Sequence, residues 1–176
     1  MNTAAGPRAE ALEVSTRRWV RWLWIPVVVA LVAAGAWWLG HPAELPSSGA
    51  KVSVTTKVGQ PVYLAALGPE YDGRRNLEVT KVTTPVDAAM DGAYVEAWIC
   101  RSGSIAQTTD PSRFCDEVVP AKGNPLHLGG GDQMIISVVA DESGTVEVGQ
   151  LEVSFREGLQ RGTQPAGPSY DVDVRD

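Results

Sequence analysis

The chain has 176 residues, 44% apolar and 20% charged, which gives room for one globular domain and a short extra segment and excludes wholesale disorder. A formal net charge of −6 argues against a nucleic-acid binder, because phosphate affinity comes mainly from Lys and Arg. Five of the six tryptophans fall between Trp19 and Trp38, so these averages mix two unlike segments.

Residues 1–18 are too few to form a domain and read as a short cytoplasmic tail. Residues 19–40 read as one transmembrane helix, a signal anchor. After Arg21 no charged residue appears until Glu44, and the 19 residues 22–40 come close to the roughly 20 that a hydrocarbon core of about 30 Å requires. Trp19, Trp22 and Trp24 stand at one end and Trp37 with Trp38 at the other, where indole rings favour the two headgroup layers. Arg17, Arg18 and Arg21 precede the span and no Lys or Arg follows until Lys51, which predicts an N-terminus in the cytoplasm and an extracytoplasmic C-terminal domain. Pro26 predicts a kink, with the helix running through it to reach a spanning length. Ala30 with Ala34, and Ala36 with Gly40, have the small-residue spacing of helix contacts. A competing reading cleaves the chain after Ala36 and releases a secreted binding domain. The long basic segment before the apolar core, and Trp37 and Trp38 directly after the cut, favour an uncut anchor.

Residues 41–50 carry two prolines, two serines and a glycine, the composition of a linker. From residue 51 to 176 the pattern is all-β, with short β-branched runs separated by Gly, Pro, Asn and Asp. Strands are expected at 62–67, 77–83, 93–100, 117–119, 126–128, 133–140, 145–148, 151–155 and 170–174. In residues 93–100, Tyr94, Trp98 and Cys100 share one face, and Ala93, Val95, Ala97 and Ile99 the other. Met134, Ile136, Val138 and Ala140 form one apolar face. Gly149-Gln150 reads as a two-residue hairpin loop. So many short strands suggest a two-sheet antiparallel sandwich of immunoglobulin-like architecture. The likeness is architectural only, because Cys100 and Cys115 lie too close in sequence to be the antibody-type pair.

Those two cysteines fall on the extracytoplasmic side, where thiols are oxidised, and a Cys100 to Cys115 disulfide is the natural expectation. No C-x-x-C accompanies them, so the expected role is a structural staple. His127 lies in a short apolar run with no G-x-S-x-G turn beside any serine, and reads as a strand residue with a satisfied ring. Gly129-Gly130-Gly131-Asp132 lacks the following helix of a phosphate loop and reads as a turn between strands. Asp171 and Asp173 share one side of a terminal strand, where weak calcium binding competes with the simpler role of a charged edge. No motif calls for a cofactor, a nucleotide or a metal.

Residues 41–176 carry 19 acids and 11 bases, net −8, an acidic field that keeps a tethered domain soluble. Against it, Arg156 and Arg161 stand in residues 156–168, which read as a long loop and a candidate partner contact. They would meet carboxylates of a partner or of the domain itself. The leading functional expectation is a binding, scaffolding or accessory subunit of a plasma-membrane or cell-envelope complex, in contact with the lipid bilayer and a membrane or envelope protein. The alternative is an extracytoplasmic hydrolase using paired carboxylates such as Asp110, Asp116 and Glu117. A sensor role is disfavoured, since so short a tail holds no output domain.

Overall fold

The computed structural model describes residues 18–68, 73–88 and 92–176, with the side chains of residues 18–21 and 23 left aside. The chain divides into two units, Met1–Trp37 and Trp38–Asp176. The first holds most of α1 (Arg18–Leu39), a 22-residue helix that runs through Pro26. Trp22, Trp24, Val29, Leu31, Val32 and Trp37 are all exposed, so from Trp24 to Leu39 the helix presents apolar side chains on its surface. Among the described residues, no helix is long and apolar enough to cross a membrane.

The second unit is a β-sandwich. One sheet contains β1 (Ser47–Lys57), β3 (Arg75–Thr83), β4 (Val86–Ala88), β8 (Pro125–Leu128), β10 (Gly144–Val148), β11 (Leu151–Glu157) and β12 (Gln160–Arg175). Its order is β4-β10-β12-β11-β3-β8, with β1 on β12. The other sheet has the order β6-β2-β9-β5-β7, from β2 (Val62–Leu67), β5 (Ala93–Arg101), β6 (Gln107–Thr108), β7 (Glu117–Pro120) and β9 (Gln133–Ala140). All pairings are antiparallel except β1 with β12, which is parallel. The alternation expected of β9 holds: Met134, Ile136, Val138 and Ala140 are fully buried between the sheets with Leu64, Leu77, Leu126, Val153 and Phe155.

Three expectations are corrected. Gly149-Gln150 does not join a hairpin: β10 and β11 follow each other along the same partner, β12. The hairpin turn is Gly158-Leu159, where Gly158 has φ +58° and Glu157 faces Gln160. Gly149 instead marks a crease. Its N–H donates to Pro85 O at 2.8 Å, so the break between β10 and β11 lies beside the break between β3 and β4. Gly167 is the matching break in β12, with φ +72° and no room for a side chain, since a Cβ there would lie 2.3 Å from Ala66 O. Polar side chains and glycine disguised this part of the strand.

Second, residues 156–168 are not a loop but the end of β11, the turn and the first half of β12. Third, the expected linker is ordered against the sandwich and becomes strand from Ser47. Leu45 is buried, its N–H donates to Gln164 Oε1 at 2.8 Å, and Gln164 Nε2 donates to Pro42 O at 3.2 Å. Arg75 clamps the same strap: it holds Glu157 through Nε at 3.1 Å and Nη2 at 2.6 Å, and also donates to the carbonyls of Ala43 and Glu44. The inward positions Gly162 and Gln164 serve this strap rather than the apolar core, which is why the segment lacks strand-like hydrophobic alternation.

Candidate functional site

Two regions of the sandwich collect the chemistry. The first is built on β5. Its inner face, Ala97 and Ile99 included, packs into the main core, while Trp98 and Cys100 point outward and join Ile105, Cys115, Ile135, Tyr63 and Val118 in a second small cluster. The segment from Ser102 to Cys115 folds over this outer face as a lid, and the Cys100–Cys115 disulfide fastens it. Gln133 is buried and replaces a strand partner, accepting from Ile105 N–H at 2.7 Å and donating to Ile105 O at 2.9 Å. Trp98 Nε1 donates to Ser137 Oγ at 3.1 Å. Gly103 lies so close to the disulfide that a Cβ would be 2.9 Å from Cys100 Sγ and 2.0 Å from Phe114 O.

Beside the lid, the triple-glycine turn aims Asp132 back at β8. Gly129 and Gly131 take φ of +68° and +95°, and Gly130 N–H donates to His127 O at 3.0 Å. Asp132 is 4% exposed. Its Oδ2 accepts from Arg101 Nη1, from His127 N–H at 3.1 Å, and lies 2.7 Å from His127 Nδ1. Burial opposes the charge on Asp132, but the hydrogen bonds from the His127 ring and backbone and from Arg101 outweigh it and hold the carboxyl below its ordinary value. His127 is therefore a strand residue with a satisfied ring, as its surroundings in the sequence suggested. Arg101 was not singled out from the sequence and Asp132 only as part of a turn, because their meeting with His127 brings together β5, β8 and the turn before β9.

The second region is the outer face of β8, β3, β11 and the first half of β12. Period-two alternation sends Asn76, Glu78 and Thr80 outward from β3, Ser154 and Arg156 from β11, and Arg161 and Thr163 from β12. Strand register sets Arg156 directly opposite both Glu78 and Arg161. An open groove of about 650 Å³ lies over Glu78, Thr80, Ser154, Arg156, Arg161 and Thr163. A neighbouring one of about 460 Å³ includes His127, Asn76, Glu78, Arg156 and Gly158. Arg75, Arg101, Arg113 and Arg175 each hold a carboxylate. Arg156 and Arg161 do not: among the described residues neither closes an ion pair, with Glu78 or any other acid. Among the described residues the pairing of Arg156 and Arg161 with carboxylates of the domain itself is not formed, and strand register sets the two cations opposite each other.

The other residues singled out from the sequence lie elsewhere. Asp110 caps the short 3-10 turn Pro111–Arg113, accepting from Ser112 N–H at 3.2 Å and Ser112 Oγ at 2.6 Å, and pairs with Arg113 at 3.0 Å. The hydroxyl and backbone bonds of Ser112, with the nearby Arg113 charge, lower its pKa despite the opposing effect of desolvation. Asp116 and Glu117 are exposed and line neither groove. Asp171 pairs with Lys51 at 2.8 Å, and Asp173 with Arg175 at 2.5 Å. Among the described residues no group of three or more His, Cys, Asp or Glu could hold a metal ion. Trp22, Trp24, Trp37 and Trp38 are exposed on α1; Arg17 and the side chains of Arg18, Trp19 and Arg21 lie outside the described residues.

No protein-family model and no curated protein matches the chain. The sandwich must be read from its own geometry.

Proposed function

We propose that the chain is a single-pass plasma-membrane protein, N-terminus in the cytoplasm, that displays a disulfide-stapled, immunoglobulin-like sandwich outside as a binding or accessory subunit of a membrane or envelope complex. The binding reading rests on one observation: Arg156 and Arg161 face each other across the hairpin with no carboxylate partner among the described residues, although residues 41–176 carry a net charge of −8. Like charges placed opposite each other on a sheet are unfavourable by themselves, and an anionic group bound between them relieves the repulsion. Hydroxyls of Thr80, Ser154 and Thr163 around the pair add hydrogen-bonding capacity without neutralising it.

The anchor reading is supported by length and composition. The stretch from Trp24 to Leu39 falls short of a span, and the turns from Arg18 bring α1 to 22 residues, or roughly 33 Å. Its ends carry the tryptophans, and its N-terminal end carries the arginines, that fix depth and direction. The disulfide favours an oxidising compartment. Two sheets facing each other over one core support the immunoglobulin-like architecture.

The test is a topology assay combined with mass spectrometry of the intact chain purified in mild detergent. The expected outcome is an externally accessible sandwich with an oxidised disulfide and a stoichiometric membrane partner. A chain that carbonate extracts from membranes, or a solitary monomer with its sandwich in the cytoplasm, overturns the proposal.

A further inference from the structure

The turn that joins β11 to β12 ends in Leu159, which is 76% exposed, an unusual place for a large apolar side chain on an acidic domain. Arg156 and Arg161 form the next outward pair behind it. Within the same unit, the neighbouring Gln160 donates from Nε2 to Trp38 O at 2.8 Å. On the reading given above, Trp38 lies in the outer headgroup layer. A turn hydrogen-bonded to its carbonyl is within side-chain reach of the same layer.

We infer that the Gly158-Leu159 turn is a second, reversible membrane contact, in which Leu159 enters the interface and Arg156 and Arg161 bind the phosphates of anionic lipid headgroups. This deepens the proposed function and rests on it, naming the anion that the arginine pair receives. An apolar side chain with basic residues behind it is the combination that holds peripheral segments on anionic bilayers, each part too weak to act alone. The rest of the domain is acidic and is repelled by the same lipids. The turn therefore sets which side of the sandwich faces the membrane, and the repulsion keeps the other surfaces free for a partner. Guanidinium groups suit the task because their planar donors match phosphate oxygens in pairs.

The experiment uses the full chain in nanodiscs of phosphatidylcholine alone or with one third phosphatidylglycerol. A single cysteine, Leu159→Cys, carries an environment-sensitive fluorophore, and Glu142→Cys, in the turn before β10 at the opposite end of the long hairpin, serves as control. The expected result is a blue-shifted label at position 159, quenched by brominated lipid chains, in the anionic discs only and reversed by salt, while the label at 142 stays in water. Adding Arg156→Gln with Arg161→Gln should lower the ratio of docked to free turn roughly 30-fold, since each basic residue near an anionic surface contributes about fivefold. Among the described residues neither arginine forms an ion pair, so the doubly substituted chain is expected to retain its thermal transition, and loss of docking then reports on lipid contact rather than folding.

A label equally wet in both discs, or embedding indifferent to the arginines, overturns the inference while the anchored binding domain stands. So does shielding of position 159 that requires an added membrane protein, which would assign the arginines to that protein. Failure of the chain to insert into discs removes both readings, and is seen before any signal at position 159 is compared.

Discussion

The lid side and the turn side of this sandwich use arginine in opposite ways. Arg101 is drawn into a buried carboxylate, shares it with His127, and sits next to a disulfide. Arg156 and Arg161 are exposed and set against each other, with no acid among the described residues closing on either. Polar groups that hold a fold together satisfy one another. On the proposed reading, like charges left facing each other at a cost to the free protein receive their partner from outside. The same contrast separates Asp132, whose carboxyl is held charged by three donors, from Glu78, which faces Arg156 without pairing.

If the lid side is structural, removing its fastening should have a larger effect than any substitution at the turn side. Cys100→Ser with Cys115→Ser frees a loop of sequence separation 15, which the chain-entropy account values at about 3 kcal/mol. Chemical denaturation of the oxidised and doubly substituted chains measures it. Loss of the lid also exposes Ile135 and Trp98, so a fall in Trp98 fluorescence protection should accompany the shift, best read with the other tryptophans replaced. A stability change under about 1 kcal/mol would show that the hydrogen bonds of Gln133 hold the lid by themselves.

Asp132→Asn is expected to come next, costing about 2–3 kcal/mol, because Arg101 and His127 lose the charge they converge on. The pH dependence has a definite sign. The pKa of Asp132 is lowered in the folded state, so its contribution is complete above the ordinary value of 3.8 and disappears as the pH falls through the lower folded value. Denaturant midpoints followed from about pH 5 to pH 2 should drop less steeply in the Asn variant. Parallel curves would mean that other carboxylates govern acid unfolding. At the alkaline end Tyr170 acts in the reverse sense. Burial raises its hydroxyl, which donates to Ala65 O, to about 12, so the stability it contributes is intact below pH 10 and lost as the pH rises toward that value.

The sequence made the strands and the disulfide of the lid side legible and the turn side only half so. Residues 62–67 and 133–140 match β2 and β9 to the residue, because both have one uninterrupted apolar face in the main core. The disulfide followed from parity and compartment. The strap from Pro42 to Pro46 and the start of β12 were hidden because their contacts are backbone carbonyls held by Gln164 and Arg75, which leave no hydrophobic period behind. β1 was missed for a related reason: only Val54 and Thr56 of its eleven residues are buried. Arg156 and Arg161 stood out by charge against an acidic background, yet the composition around them suggested a loop, and only strand register shows that they are opposed. The Asp132 cluster left no local signal, since Arg101, His127 and Asp132 arrive from β5, β8 and the turn before β9.

The smallest effect on stability should come from the residues with the largest expected role in binding. Arg156→Gln or Arg161→Gln removes one of two like charges facing each other, and the free protein should be unchanged or stabilised by about 0.2–1 kcal/mol. Salt distinguishes the cause: added chloride screens the exposed pair and should bring variant and parent together, whereas a packing effect would survive it. Substituting both should add little beyond the first, because the repulsion vanishes with either partner, so the two changes are non-additive in a predictable direction. A destabilisation above about 1 kcal/mol would place these arginines with Arg101 as structural residues and end the contrast between the two sides.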